Sequence, residues 1–216
     1  MATIPPIAVE FGEGLDGLLS GPAAPSSGRG LVLLSHGAGG TMNNGFLVKA
    51  SEELSALQFT TLRWNFGYVK ARRAPSAGGK RELPEMWAAI DYLKNLDKSN
   101  KLPIILAGKS FGARLASYSA IERQDIDGFA FFGLPLQGAD KNAKPRDWTH
   151  LAKLTGKALF VTGDRDKLCP LDYLAEVQKH IAIPFESVVV PGDHGFLPRG
   201  EKDALNHLNR WVREQF

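Results

Sequence analysis

A short apolar run, a Gly-x-Ser-x-Gly motif and a helical segment follow one another directly in this chain. Residues 103–107 predict a strand, Gly108-Lys109-Ser110-Phe111-Gly112 comes next, and residues 110–123 have helical spacing. A serine between a strand and a helix in this pattern lies on a sharp, strained turn, with its hydroxyl exposed above the sheet. The two glycines lack a β-carbon, so the strand and the helix can approach closely. Ser110 is therefore the predicted nucleophile.

The motif by itself also permits two other interpretations. Ala107-Gly108-Lys109-Ser110 resembles the end of a phosphate-binding P-loop, but that loop needs a glycine five residues before the glycine of Gly-Lys-Ser. Pro103 occupies that position, which argues against a P-loop. The motif is also compatible with a turn that carries no chemistry. The remainder of the chain distinguishes these possibilities.

Apolar strands alternate with helices along most of the chain. Residues 1–29 predict an irregular segment with short edge strands at 8–11 and 17–20. Further strands are predicted at residues 30–35, 60–65, 103–107, 128–132, 158–161 and 187–190. Helices are predicted at residues 44–57, 83–96, 110–123, 171–181 and 201–214. Apolar strands separated by helices indicate an α/β fold, a mostly parallel sheet with helices on both faces, within a single domain spanning 1–216.

Composition excludes several classes of function. A net charge of +3 over 216 residues is too small to indicate nucleic-acid binding. No apolar run approaches the roughly 20 residues that span a bilayer, and the N-terminus lacks the pattern of a secretory signal. The single cysteine, Cys169, fits a reducing cytoplasm, and the histidines do not have metal-ligand spacing. We expect a cytoplasmic monomer or homodimer with no metal, cofactor, nucleic-acid partner or membrane association.

A serine nucleophile needs a base, and two later loops supply candidates. In elbow enzymes the chain order is serine, acid, histidine. The strand at 158–161 leads into Asp164 and Asp166, and the strand at 187–190 leads into His194. His194 is the predicted general base. Asp166 is the preferred acid, because it extends past the strand tip, whereas Asp164 is expected to bind backbone within its own turn.

The glycine-rich segment after the strand at 30–35 predicts an oxyanion hole. In this arrangement, one donor is the backbone N–H after the nucleophile, and the other comes from the loop after an earlier strand. Phe111 provides the first donor. Ala38 is assigned as the second donor, with Gly37 as the alternative. Gly37 is also a candidate for contact with the substrate. His36 precedes the serine and is expected to orient this loop.

A basic loop lies between the predicted strand at 60–65 and the predicted helix at 83–96. Its charged residues are Lys70, Arg72, Arg73, Lys80 and Arg81. A run of this kind is commonly a solvated face, but it can also form a rim that attracts anionic substrates. On the second interpretation, Arg72 and Arg73 bind substrate.

The segments 36–40, 108–114, 163–166 and 194–196 together resemble the α/β-hydrolase superfamily, from about Gly30 to the C-terminus. Residues 63–68, Arg72-Arg73 and the elbow sequence resemble a narrower group, the small proteins related to testis-expressed protein 30, and more loosely the dienelactone-hydrolase-like proteins. Dienelactone hydrolases have cysteine at the elbow, where this chain has Ser110. The resemblance implies an α/β-hydrolase fold with a Ser–Asp–His hydrolase scaffold.

Segment length predicts that the fold has no large cap domain. Residues 133–150 are too few for a cap of several helices, although they and residues 66–81 are long enough to form covering loops. We expect an open, shallow site for small or protruding acyl groups. The predicted reaction is hydrolysis of carboxylic esters or thioesters through an acyl-enzyme. The alternatives are a non-catalytic binding protein of the same fold and a thioesterase whose basic loop holds an anionic carrier.

Overall fold

Eight strands form one mixed sheet in the computed structural model, which describes residues 5–138 and 144–216. The strands are β1 (Ile7–Phe11), β2 (Leu15–Ser20), β3 (Gly30–Ser35), β4 (Phe59–Trp64), β5 (Ile104–Lys109), β6 (Gly128–Phe132), β7 (Lys157–Gly163) and β8 (Phe185–Val190). Their order across the sheet is β1-β2-β4-β3-β5-β6-β7-β8. Strands β3 to β8 pair in parallel, whereas β2 is antiparallel to both β1 and β4.

Six α-helices in the described part of the chain cover the two faces of this sheet. They are α1 (Gly45–Ala56), α2 (Gly67–Lys70), α3 (Glu82–Lys94), α4 (Phe111–Glu122), α5 (Leu171–Gln178) and α6 (Gly200–Gln215). Because side chains alternate along a strand, Leu31 and Leu33 of β3 enter one apolar core, and Val32 and Leu34 enter the other. Helices α3, α4 and α5 pack in the first core, and α1 and α6 pack in the second. The predicted α/β fold with helices on both faces is confirmed.

The N-terminal segment is more regular than the sequence indicates. β1 and β2 form a five-pair antiparallel ladder that begins with Ile7 opposite Leu19. Gly17 then pairs with Trp64 of β4, so this hairpin extends the main sheet. The strands predicted at 8–11 and 17–20 correspond to β1 and β2, but β2 lies between β1 and β4 and is not an edge strand. Residues 1–4 lie outside the described ranges.

The connection between β6 and β7 is short. Its described part contains one 3-10 helix, Thr149–Lys153, and an isolated bridge between Gln137 and Pro145. Residues 139–143 of the expected covering loop lie outside the described residues. The expectation of a fold without a large cap is confirmed. Among the helices described, none combines the length and apolar character needed to cross a bilayer.

Asp97 stabilises the turn between α3 and β5, the strand that precedes the serine. The carboxylate of Asp97 accepts hydrogen bonds from the Ser99 hydroxyl at 2.6 Å and from the backbone N–H groups of Lys101 and Leu102, each at 2.9 Å. These donors favour the ionised form, and the Ser99 hydroxyl bond is the largest cause. They lower the pKa of Asp97 from 3.8 to about 2.

Replacing Asp97 with Asn should destabilise the fold in a pH-dependent way. The pKa of Asp97 in the folded protein lies below its ordinary value of 3.8. The ionised carboxylate therefore makes its full contribution to the free energy of unfolding above that ordinary value, and the contribution is lost as pH falls toward about 2. The difference in unfolding free energy between wild type and Asp97→Asn should therefore be larger at about pH 6 than at about pH 3. Urea unfolding at both pH values measures it, and an unchanged difference contradicts the assignment.

Candidate active site

Ser110 lies on a strained turn between β5 and α4. Its backbone has φ 54° and ψ −111°, a conformation that costs about 1–3 kcal/mol for a residue with a side chain. A β-carbon on Gly108 would lie 2.4 Å from the amide nitrogen of Ala113, and one on Gly112 would lie 2.4 Å from the carbonyl oxygen of Ser35. Close packing of backbone against backbone therefore holds the turn in place.

A line of hydrogen bonds joins three residues at the carboxyl edge of the sheet. The Ser110 hydroxyl oxygen is 2.8 Å from Nε2 of His194, and Nδ1 of His194 is 2.8 Å from Oδ2 of Asp166. Since Nδ1 faces a carboxylate, it carries the proton, and Nε2 accepts from the serine hydroxyl. The Asp166 side chain is fully buried, whereas 28% of the His194 side chain is exposed. The histidine therefore lies between the protein interior and the solvent.

The two candidate acids have different surroundings. Asp166 directs Oδ2 to His194, while its Oδ1 accepts from the backbone N–H of Leu168 at 2.8 Å and of Cys169 at 3.2 Å. Asp164 is half exposed and accepts from the backbone N–H of Gly192 at 2.8 Å. The structure therefore places Asp166, and not Asp164, against the histidine.

The loop after β3 lies against the serine. A β-carbon on Gly37 would lie 3.5 Å from the β-carbon of Ser110. Within the described residues, the backbone N–H groups of Ala38 and Phe111 have no hydrogen-bond acceptor. Phe111 is the first residue of α4, where helix geometry leaves its N–H without an intrahelical partner. The two predicted donors are thus without a partner in the described part of the chain.

Two buried side chains fix the carbonyl groups of the same loop. Nδ1 of His36 is 2.8 Å from the Gly37 carbonyl oxygen, and Nε2 accepts from the backbone N–H of Phe66 at 3.3 Å. Burial lowers the pKa of His36, which favours the neutral ring. The Tyr68 hydroxyl donates to the carbonyl oxygens of Ala38 at 3.1 Å and Gly37 at 3.3 Å. Sequence analysis missed Tyr68, although its segment carried part of the family resemblance.

Lys109 is a second residue that sequence analysis did not assign. Its ammonium group donates to the carbonyl oxygen of Gly195 at 3.2 Å, next to His194. It also lies 5.1 Å and 5.4 Å from the ring centres of Phe46 and Phe196, within cation–π range. Desolvation by burial lowers the pKa of Lys109. Lys109 thus connects the serine turn to the histidine loop.

The structure does not bring the basic-loop arginines to the serine. The guanidinium of Arg73 pairs with Glu82 at 3.4 Å, and the Glu82 side chain is fully buried. Glu82 also accepts hydrogen bonds from the backbone N–H and the hydroxyl of Ser76. Arg72 is exposed, with φ 49°. Within the described residues, neither arginine has a hydrogen bond with Ser110, Asp166 or His194, so their role in substrate binding stays a prediction.

A mostly parallel eight-stranded sheet with a serine on a strand–helix elbow defines the class of α/β hydrolases. Residues 28–214 match the family model described as an alpha/beta hydrolase domain, so the chain belongs to the α/β-hydrolase family. The family expected from the sequence is therefore confirmed.

Proteins of known sequence and structure resemble this chain. The chain is 27% identical to an uncharacterised protein of Rickettsia prowazekii over 196 residues, which cover 87% of this chain and 80% of that protein. The dienelactone hydrolase of Anabaena variabilis has a TM-score of 0.76 at 19% identity, covering 100% of this chain and 98% of the other. Est1E of Butyrivibrio proteoclasticus with bound ferulic acid has a TM-score of 0.71 at 19% identity, covering 97% and 98%. At these identities the structures show the shared fold.

Replacing Gly112 with Ala should disrupt the serine turn. The added β-carbon meets the backbone oxygen of Ser35, which cannot move without displacing β3, so we expect a loss of at least about 1–3 kcal/mol in the free energy of unfolding. Gly45→Ala is the matched control, because no atom lies within 4 Å of its added β-carbon. That control should be neutral or stabilise the protein by less than about 1 kcal/mol. Equal stability of the two variants in urea unfolding contradicts the packing argument.

Proposed function

We propose that this chain is a serine hydrolase that cleaves carboxylic esters or thioesters through an acyl-enzyme. The observation that carries the proposal is the hydrogen-bonded line from the Ser110 hydroxyl through His194 to the buried carboxylate of Asp166. A serine hydroxyl is a weak nucleophile without an adjacent base, and a histidine held by an acid supplies that base. The geometry supports these roles at distances suited to proton transfer.

Acylation begins when the Ser110 oxygen attacks the acyl carbon and its proton moves to Nε2 of His194. The substrate carbonyl oxygen takes up the negative charge, and Asp166 stabilises the imidazolium. When the tetrahedral intermediate collapses, His194 returns the proton to the departing alcohol or thiol. Water then attacks the acyl-serine with His194 again as base, and the acid leaves as the Ser110 hydroxyl re-forms. Side chains, backbone and water perform every step, so the mechanism requires no cofactor.

The negative charge on the oxygen of the tetrahedral intermediate needs hydrogen-bond donors that are already in position. The N–H groups of Ala38 and Phe111 are the proposed pair, since both are without acceptors in the described residues. Phe111 directly follows Ser110 in the chain, and Ala38 follows Gly37, which lies against Ser110. Donors fixed before the reaction need no rearrangement as the charge develops. Through their bonds to the loop carbonyls, His36 and Tyr68 support this fixed orientation.

Small-molecule substrates fit this site better than long enclosed chains. No large cap covers the serine edge in the described ranges, and 28% of the His194 side chain is exposed. An esterase of the same fold binds ferulic acid, which supports a carboxylic acid derivative as the type of substrate. The proposal therefore places small or protruding acyl groups at Ser110.

Turnover of 4-nitrophenyl acetate and an acyl thioester tests the proposal. Ser110→Ala should lower kcat by at least about 10³-fold, because it removes the nucleophile. Asp166→Asn should lower kcat by about 10³–10⁴-fold by losing the correct histidine tautomer, while Asp164→Asn should retain most activity. Full turnover in Ser110→Ala overturns the proposal. A folded wild type without activity on either substrate favours the non-catalytic binding protein instead.

Lys109 should affect kcat because it holds the loop that contains His194. Lys109→Met removes the donor to the Gly195 carbonyl, so His194 is held less firmly, and kcat should fall by about tenfold with little change in KM. Lys109→Arg should restore part of the activity. Lys202→Met, which removes an exposed charge from α6, is the matched control and should behave as wild type. Unchanged kcat in Lys109→Met contradicts this positioning role.

A further inference from the structure

A narrow cleft lies between α4 and the segment that follows β6. Its walls include Arg114 and Tyr118 from α4, Leu134 after β6, and Arg146 and His150 from the segment before β7. The predicted basic loop contributes no residue to its walls. Two arginines from different parts of the chain therefore meet in one cleft.

The cleft begins beside the proposed nucleophile. The Arg114 backbone N–H donates to the Ser110 carbonyl oxygen at 3.0 Å, so Arg114 lies one helical turn beyond Ser110 along α4. On the opposite wall, a β-carbon on Gly133 would lie 3.2 Å from Oδ2 of Asp166 and from the His194 ring. Leu134, the next residue, lines the cleft. The wall of the cleft is thus continuous in sequence with the residue that contacts Asp166 and His194.

Both guanidinium groups have neutral partners. Nε and Nη2 of Arg114 donate to the Tyr118 hydroxyl at 3.2 Å and 3.1 Å, and Nε of Arg146 donates to the Gln137 carbonyl oxygen at 3.3 Å. Within residues 5–138 and 144–216, no carboxylate lies within 4.0 Å of either group. Burial and the neighbouring charge of Arg114 both lower the pKa of Arg146. The two positive charges therefore interact, and neither forms an ion pair within the described part of the chain.

The described walls of the cleft also carry a carboxylate and a histidine. The Asp147 carboxylate accepts from the backbone N–H and hydroxyl of Thr149 at 2.9 Å and 2.7 Å. Burial lowers the pKa of His150 to about 4, so its ring is neutral near pH 7. That ring lies 2.8 Å from the Ser117 hydroxyl. Among the described residues that line it, the cleft therefore has two cations, the ionised carboxylate of Asp147 and one neutral histidine, which leaves a net positive charge.

We propose that Arg114 and Arg146 form an anion-binding subsite for ester or thioester substrates that carry a carboxylate or phosphate group close to the scissile carbonyl. A guanidinium presents a planar set of N–H donors that matches such an anion, and partial burial strengthens the attraction. An anion between the two arginines also relieves their mutual repulsion. This inference rests on the proposed function and names its substrate class.

A pair of matched esters tests the subsite. In 4-nitrophenyl hemiglutarate a carboxylate stands where 4-nitrophenyl pentanoate has a methyl group, and both share one leaving group. Wild type should prefer the anionic ester in kcat/KM, and Arg114→Gln and Arg146→Gln should each reduce that preference by roughly tenfold. Activity on the neutral ester should change little. Arg146→Lys should retain part of the preference, and Arg213→Gln, which removes an exposed charge from α6, should leave it unchanged.

Calorimetry with Ser110→Ala separates this inference from the proposed function. Glutarate and inorganic phosphate are titrated into that variant with and without Arg146→Gln, and the two ligands distinguish a carboxylate from a phosphate preference. Binding of either ligand that weakens with Arg146→Gln supports the subsite, even if wild type hydrolyses neither ester. An unchanged ester preference in both arginine variants, or no binding of either ligand, overturns it.

Discussion

The backbone strain at Ser110 depends on contacts that only glycine permits. Gly108 and Gly112 let β5, α4 and the end of β3 approach to distances that no β-carbon allows. Positive φ at Ser110 would otherwise relax, since it costs about 1–3 kcal/mol. The same approach places Gly37 against the serine and directs α4 along the cleft. This one turn therefore positions the nucleophile, the proposed oxyanion donors and the proposed anion subsite.

The elements around this turn could be predicted because their signals are local. A mostly apolar β5, a Gly-x-Ser-x-Gly turn and a helical run lie within a few residues of one another, and each favours the same structure. Asp166 and His194 could also be proposed from chain order, because parallel strands bring the loops at their carboxyl ends to one edge. The structure then brings Ser110, Asp166 and His194 together at that edge.

The features that sequence reasoning missed depend on contacts between distant segments. Nothing near Lys109 in the chain indicates that it reaches Gly195, and nothing near Arg73 indicates its pairing with buried Glu82. A basic run has the same composition whether it binds substrate or anchors a loop. Arg114 and Arg146 were likewise not recognised, because the cleft that unites them forms only when α4 packs beside the segment before β7.

The central claim is that Ser110 is an activated nucleophile. The most direct measurement is labelling of the purified protein with a fluorophosphonate, followed by mass spectrometry of the peptides. The account predicts one covalent adduct, located on Ser110, which is absent from Ser110→Ala and forms much more slowly in Asp166→Asn. An adduct on another residue, or no adduct on a folded wild type, would contradict it.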